Sequence, residues 1–314
     1  MSTSKRSVLI TGATGQQGGA VVSALLADSR TSSTLELYAL SRNPESSSAQ
    51  KLAAQGVTVL KGSTDSKDDL LHVLKGIDGA FLVTTPYGKE GVKNEVKQGV
   101  TFVDAASDAG VSQIVFTSVD GAERQSGVPH FDSKYEIEQR ISKRAFAYST
   151  ILRPVAFCDN FPKQSSFASF MTLGLFGAAL RGKSLQLVAV RDIGIYAARA
   201  LLEPDVYSKK SPIALAGDEL TVEQMQDAYA NVQGGKRPWK AWLPSWILYL
   251  LPFDIRAMFQ VRPIPSLFRD AITDNDEPQW FYTDGYTANI SALKSEHAGL
   301  LTFEGWLREQ NKAD

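Results

Sequence analysis

The stretch VLITGATGQQGG, residues 8–19, decides the fold because it joins a short apolar run directly to glycines three residues apart. The apolar run predicts a buried β-strand, and the residues from Ala20 onward have the apolar spacing of a helix. Gly12 allows a sharp turn off the strand, Gly15 lets the backbone approach a diphosphate, and Gly18 lets the helix pack close to the sheet. Unpaired N–H groups at such a helix start bind anions. The stretch therefore predicts a dinucleotide-binding turn, and a flexible surface turn is the alternative. The predicted cofactor contacts in this turn are Gly12, Thr14, Gly15, Gln16, Gln17 and Gly18.

Up to Pro154, short apolar or β-branched runs alternate with longer segments of helical spacing, which is the pattern of βαβ units. The predicted strands are Val8–Thr11, Leu35–Ser41, Val57–Leu60, Ala80–Thr84, Gln113–Thr117 and Thr150–Arg153. The predicted helices are Ala20–Ala27, Ala49–Ala54, Lys67–Leu74, Val92–Ala109 and Lys134–Arg144. Right-handed crossovers then give an α/β fold with a doubly wound parallel sheet of the Rossmann type.

Composition excludes several classes of protein. The 314 residues carry a formal net charge of -1, with 43% hydrophobic and 21% charged residues. These values are typical of a compact globular protein, and the absence of a basic surplus argues against nucleic acid as the ligand. Cys158 is the only cysteine, so no internal disulfide forms, and we expect a reducing compartment. The few histidines lie far apart in the sequence, and we expect no metal.

The apolar stretches are too short to cross a bilayer. The longest, Ala241–Phe253, is interrupted by Pro244 and Pro252. The amino-terminal residues leave no room for the apolar region of a signal peptide. We therefore expect a cytoplasmic protein that does not associate with membranes.

The residues after the second and third predicted strands bear on the adenosine end of the cofactor. Proteins that prefer NAD usually place a carboxylate after the second strand, but this chain has Ser41-Arg42-Asn43 there. The Arg42 guanidinium would pair with a 2′-phosphate, so NADP is the predicted cofactor, and a solvated surface arginine is the alternative. Asp65, after the third strand, either accepts a hydrogen bond from the adenine amino group or only caps the next helix.

Hydroxyl-bearing residues follow the fourth and fifth predicted strands, at the edge of the sheet where ligands bind in open α/β folds. The segment Thr84-Thr85-Pro86 stands at the end of the fourth strand and Thr117-Ser118 at the end of the fifth. We therefore expect Thr84, Pro86 and Ser118 on the nicotinamide side. His130 and Lys134 are four residues apart, a spacing that stacks them on a helix whose first turn is formed. Lys134 then reaches the nicotinamide ribose and Ser118 or His130 supplies a proton; a solvated helix lysine is the alternative for Lys134.

The carboxyl-terminal half is rich in aromatic residues. Phe157–Leu180 concentrates Phe, Ser and Gly, and Lys236–Pro278 concentrates Trp and Pro. These segments are interpreted as a lid or substrate side, with Phe157 and Asn160 against the substrate. A second apolar core or a dimer face is equally compatible with this composition.

Several stretches together resemble the NmrA-like family, an atypical branch of the short-chain dehydrogenases/reductases. They are GATGQQGGAV at residues 12–21, LSRNP at 40–44, VKQG at 96–99, HFDSKYEIE at 130–138, ILRPVAFCDNF at 151–161, RDIG at 191–194, LAGDELT at 215–221 and TFEGWL at 302–307. The resemblance implies an NADP-binding Rossmann domain over residues 1–154. It also implies a smaller α/β substrate domain over residues 155–314, interleaved with the sheet. By this resemblance Arg42 matches the phosphate-binding arginine and Lys134 the lysine of the cofactor site.

One departure from the wider reductase pattern affects the functional interpretation. Those enzymes carry a Tyr four residues before the Lys, where this chain has His130, and Tyr135 lies on another helix face. Two hypotheses follow. The first is an NADPH-dependent oxidoreductase that transfers hydride to a small aromatic or conjugated carbonyl or quinone. The second is a non-catalytic NADP(H)-binding redox sensor that regulates a protein partner; a homodimer is compatible with either.

Overall fold

The computed structural model describes residues 5–87, 90–124, 126–235, 237–244, 247–248 and 284–312. The chain divides into two compact units, each assembled from separate segments. The first unit comprises Met1–Val119, Ser133–Arg153 and Val190–Ile213. The second comprises Asp120–Asp132, Pro154–Ala189 and Ala214–Asp314.

The strands and helices follow one another in the alternation that the sequence predicts. The strands are β1 (Arg6–Ile10), β2 (Leu35–Ser41), β3 (Thr58–Lys61), β4 (Gly79–Leu82), β5 (Gln113–Thr117), β6 (Tyr148–Pro154), β7 (Ala156–Phe157), β8 (Leu185–Val188), β9 (Ile213–Leu215) and β10 (Asp218–Leu220). The helices are α1 (Gln16–Ala27), α2 (Thr31–Thr34), α3 (Ser47–Ala54), α4 (Lys67–Val73), α5 (Gly91–Asp108), α6 (Pro129–Ser142), α7 (Phe167–Leu180), α8 (Val190–Leu202), α9 (Pro204–Tyr207), α10 (Val222–Gln233), α11 (Ile290–Glu296) and α12 (Phe303–Gln310).

The main sheet has the strand order β3-β2-β1-β4-β5-β6-β9. Each pairing from β3 through β6 is parallel. The order reverses between β1 and β4, so a crevice opens beyond the carboxyl ends of these two strands, and this is where Rossmann folds bind dinucleotides. The predicted doubly wound parallel sheet is confirmed.

A late segment of the chain completes the helical cover of the first unit. Helix α8 packs along α1, and a Cβ atom placed at Gly194 would lie 2.5 Å from the backbone carbonyl of Ala20. A glycine is therefore required for the two helices to approach this closely. Gln113, at the start of β5, binds the end of α8 through a hydrogen bond of 2.6 Å from its Nε2 to the Ala200 carbonyl.

The second unit has its own small sheet and its own aromatic core. The strands are ordered β10-β8-β7, with β7 parallel and β10 antiparallel to β8. Phe161 stacks on Phe176 with ring centroids 4.7 Å apart and contacts Phe303 edge-on. Much of the Phe157–Leu180 segment is thus helix that contributes to this core. Most of the Trp-rich Lys236–Pro278 segment lies outside the described residues.

The predicted boundaries are correct for β2 and β5 and differ by a few residues elsewhere. The largest errors are at helix starts, since α1 begins at Gln16 rather than Ala20 and α6 at Pro129 rather than Lys134. The first turn of a helix carries polar residues or proline as readily as apolar ones, so apolar spacing does not reveal it. Among the described residues, no helix has the length and apolar character needed to span a membrane.

Candidate active site

The turn between β1 and α1 accepts only glycine at two positions. Gly12 has a φ of +60°, and a Cβ there would lie 2.6 Å from Val83 Cγ1. A Cβ at Gly18 would lie 2.3 Å from the Gly12 carbonyl oxygen, which is backbone and cannot move aside cheaply. The amide of Gly15 donates to the Gly12 carbonyl at 2.9 Å and closes the turn. The geometry expected of the predicted turn is therefore present.

The amino terminus of α1 is open to an anion. Its N-cap, Gly15, has no side chain to accept hydrogen bonds from the first helical amides, and the first turn holds no acidic residue. These amides are then available to a negatively charged group, which the helix dipole also attracts. Thr14 and Gln16 are exposed in this turn. The Gln17 side chain has another role, because its Oε1 accepts a hydrogen bond of 2.7 Å from Thr117 Oγ1 at the end of β5.

Arg42 lies directly after β2 and is exposed. Its guanidinium forms neither an ion pair nor a hydrogen bond with any residue that the structure describes. The turn that carries it is fixed by local hydrogen bonds, in which the Asn43 amide donates to Ser41 Oγ and the Glu45 amide to Asn43 Oδ1. A well-supported turn thus presents a positive charge that none of the described residues neutralises by direct pairing.

Asp65 is held by one neighbour on α5 and one in its own loop, and it lies close enough to Arg42 for their charges to interact. Gln98 Nε2 on α5 donates to its carboxylate at 2.7 Å, and Ser63 Oγ donates at 3.0 Å. The hydrogen bond from Gln98 is the main reason why the pKa of Asp65 lies below its usual value, and the charges of Lys97 and Arg42 add to the effect. Capping of α4 by Asp65, one of the two alternatives, is wrong, because Ser66 Oγ accepts from the Asp69 amide there.

A buried ion pair lies behind the carboxyl end of β4. Lys134 on α6 and Glu95 on α5 approach to 3.0 Å, and the side chain of Glu95 is wholly buried. Thr84 Oγ1 donates to one Glu95 oxygen at 2.9 Å, and Ser133 Oγ donates to the other at 2.5 Å. Both carboxylate oxygens therefore have partners.

The Lys134 ammonium uses its three N–H donors within the protein. They meet the Thr84 carbonyl oxygen at 2.9 Å, Thr84 Oγ1 at 2.9 Å and Glu95 Oε1 at 3.0 Å. The same ammonium lies 5.5 Å from the centroid of the Phe116 ring. The alternative of a solvated lysine is wrong, since the residue is 7% exposed. The predicted contact with a nicotinamide ribose remains a prediction.

Glu95 is the residue that sequence reasoning missed, although a signal was present. The buried positions of α5 are Glu95, Gly99, Phe102, Val103, Ala105 and Ala106. Glu95 is thus a carboxylate in register with an apolar helix face, and such a group requires a buried partner. The partner follows 39 positions later in the sequence, so nothing local identifies it.

Ser118 lies directly after β5, beyond the edge of the sheet that bears the glycine turn. Its amide donates to the Leu152 carbonyl at 2.7 Å. Its hydroxyl is buried and has no hydrogen-bond partner among the described residues. A buried hydroxyl without a partner is costly and calls for an explanation.

Three other predicted residues, His130, Phe157 and Asn160, belong to the second unit. His130 is in the first turn of α6 and packs edge-on against Phe131 with ring centroids 4.9 Å apart. Phe157 ends β7, and Asn160 closes the short 3₁₀ turn that follows. Both are partly buried. Within the described ranges no cluster of histidine, cysteine and acidic residues is arranged to hold a metal ion.

The fold and the glycine turn are those of a Rossmann-type dinucleotide-binding protein. A family model described as NmrA-like family matches residues 4–274, and the chain belongs to this family.

One protein of similar sequence and two solved structures of similar fold illustrate what this chain resembles. An NmrA-like family domain-containing oxidoreductase of Malbranchea aurantiaca is 28% identical, with 99% of this chain and 98% of that protein covered. The NADPH-dependent quinone oxidoreductase of Escherichia coli, solved with NADPH, has a TM-score of 0.68 at 24% identity, covering 96% of this chain and 99% of the other. The negative transcriptional regulator NmrA, solved with NADP, has a TM-score of 0.67 at 17% identity, covering 98% and 95%.

Proposed function

We propose that this protein is an NADPH-dependent oxidoreductase that reduces a small conjugated carbonyl or quinone. The observation that carries the proposal is the turn at Gly12–Gly18, where two side-chain-free positions and an open helix terminus form a cradle for a diphosphate. Oxidoreductase activity in general is supported by the full-length relative and by the quinone oxidoreductase of the same fold.

The residues around the crevice fit NADP better than NAD. Arg42 follows β2 with an exposed guanidinium that the described residues leave unpaired, which suits a 2′-phosphate. Asp65 is the adjacent carboxylate, and its lowered pKa keeps it a hydrogen-bond acceptor suited to the adenine amino group. The two solved structures with this fold contain NADPH and NADP.

The remaining roles follow from position along the crevice. Bound NADPH supplies a hydride. In this proposal Thr84 and Pro86 flank its nicotinamide from the end of β4, and the Ser118 hydroxyl gives a proton to the substrate oxygen, which needs one after reduction. Phe157 and Asn160 remain candidates for substrate contact, and His130 is the alternative proton donor.

Turnover of NADPH with a mixed panel of quinones, enones and aromatic aldehydes tests the proposal. We expect substrate-dependent NADPH oxidation, which falls roughly 100-fold in Ser118→Ala because a proton donor is lost. The melting temperature should hardly change, since the hydroxyl has no partner to lose among the described residues. Thr150→Val is the matched control, because Thr150 Oγ1 on β6 is also buried and has no partner in the part of the chain that the structure describes. This variant should leave turnover intact. Absence of turnover with every class of acceptor would contradict the enzymatic proposal.

A second candidate is a non-catalytic NADP(H) sensor with a protein partner. The observation that favours it is His130 in place of the usual reductase tyrosine, together with the similarity to a transcriptional regulator that binds NADP. Tight cofactor binding without substrate-dependent oxidation, and partner binding that differs between NADP and NADPH, would favour this candidate. Any partner, including a second copy of the chain, is part of this proposal.

A further inference from the structure

The burial of Glu95 and Lys134 requires a physical reason. Removing both charges from water is energetically costly, and well-packed apolar residues are often as stabilising as a buried ion pair. Stability alone therefore does not explain why a wholly buried carboxylate is paired with a lysine that is only 7% exposed. The contacts that the pair makes with its surroundings indicate another role.

The pair holds one short piece of backbone. Two of the three Lys134 contacts go to Thr84, one to its carbonyl and one to its hydroxyl, each at 2.9 Å. The Thr84 hydroxyl in turn donates to Glu95 at 2.9 Å. Since Thr84 lies directly beyond β4, the ion pair fixes the direction in which the chain leaves that strand.

This piece of backbone lies on the nicotinamide side of the crevice. The exit of β4 adjoins the glycine turn, as the Val83 amide donates to Thr11 Oγ1 at 2.9 Å. Arg42 follows β2, on the other side of β1. If Arg42 binds the adenosine phosphate, the opposite end of the cofactor must extend toward β4 and β5.

We infer that Glu95 is a positioning residue for the nicotinamide half of the cofactor. It acts through Lys134 on Thr84, and so sets the wall against which the nicotinamide lies. The inference rests on the proposed function, because it assumes NADPH in the crevice. It also assigns Lys134 a role through Thr84 that differs from the direct ribose contact predicted from sequence.

Calorimetric titration with two ligands tests the inference without measuring turnover. The ligands are NADPH and 2′-phospho-ADP-ribose, which lacks the nicotinamide. In Glu95→Gln the dissociation constant for NADPH should rise about tenfold, because the charged contact between Lys134 and Glu95 that fixes Thr84 is lost. The constant for the shorter ligand should change less than about twofold, because the adenosine side is untouched. Equal weakening of both ligands, or no change in either, would overturn the inference.

Two further variants guard against simple unfolding. Thr84→Val removes only a hydroxyl, and it should weaken NADPH selectively even if Glu95→Gln does not fold. Asp104→Asn is the matched control, because Asp104 on α5 also pairs with α6, where Arg140 Nε lies at 2.6 Å. That variant should bind both ligands like the parent. If the parent binds neither ligand, the proposed function fails and the inference fails with it; if it binds both, the variants alone decide the inference.

Discussion

The two ends of the crevice, which we propose to hold the adenosine and the nicotinamide of the cofactor, differ in how their cations are paired. On the adenosine side, Arg42 is exposed and makes no direct pair with the described residues. On the nicotinamide side, Lys134 is buried and all three of its donors have protein partners. We therefore propose that Arg42 recognises the cofactor directly, whereas Lys134 shapes the wall that contacts it.

The physical reason for the difference is solvation. An exposed guanidinium keeps its water until a phosphate replaces it, so it adds little to the stability of the free protein. A buried ammonium has lost its hydrating water, so its hydrogen-bond partners must come from the protein. Substitutions on the two sides should therefore be detected by different measurements.

Lys134→Met should have the largest effect, and it should appear in stability. The wholly buried Glu95 would lose its counter-charge, so we expect the free energy of unfolding to fall by about 3–5 kcal/mol. Urea denaturation at neutral pH measures it. The double variant Lys134→Met with Glu95→Leu should recover most of the loss, because no unpaired charge remains. A single variant as stable as its parent would show that Glu95 finds water or another partner.

Arg42→Ala should have an intermediate effect, and it should appear only in affinity. We expect NADPH to bind about 1.5–3 kcal/mol more weakly, as for a lost charge-assisted hydrogen bond, with NADH almost unaffected. Lys51→Ala on α3 is the control, since it removes another exposed cation close to Arg42 in sequence. Equal losses for NADPH and NADH would remove the assignment of Arg42 to the 2′-phosphate.

Asp104→Asn should have the smallest effect. The ion pair of Asp104 with Arg140 is partly exposed, and such pairs contribute little to stability. Burial tends to raise the pKa of Asp104, but hydrogen bonds from Arg140 and Arg144 outweigh it, and the pKa lies below its usual value of 3.8. The carboxylate therefore stabilises the fold above pH 3.8, and this contribution is lost as the pH falls through the lowered pKa. We expect the variant to be about 0.5–1 kcal/mol less stable at neutral pH.

Urea denaturation of parent and Asp104→Asn across pH 7 to about pH 3 measures this difference. The gap should narrow toward the acid end. A gap that stays constant with pH would mean that the asparagine acts through packing rather than through loss of charge.

Features that depend on neighbours in sequence were predicted correctly. The bounds of β2 and β5 match the structure, and Arg42 and Ser118 follow their strands as expected. Parallel strands buried on both faces leave apolar runs with sharp ends, so the residue after each end is known from sequence. The helix starts at Gln16 and Pro129 were missed because first turns do not follow apolar spacing.

Features that depend on residues far apart in the chain could not be predicted from the sequence. The partner of Glu95 could not be identified, although its place on the buried face of α5 was detectable. The return of α8 to pack at Gly194 against α1 likewise joins segments far apart in the chain. The Thr117 contact with Gln17 was also missed, since it joins the end of β5 to the first turn of α1.

The sequence by itself determined the glycine turn, the alternation of strands and helices and the exposed cation after β2, because each depends on a few consecutive residues. Only the tertiary structure decided that Lys134 is directed at Thr84 and Glu95, and that the Ser118 hydroxyl is buried with no partner among the described residues. Burial and pairing of a polar group depend on which distant segments pack around it, and one sequence does not specify those neighbours residue by residue.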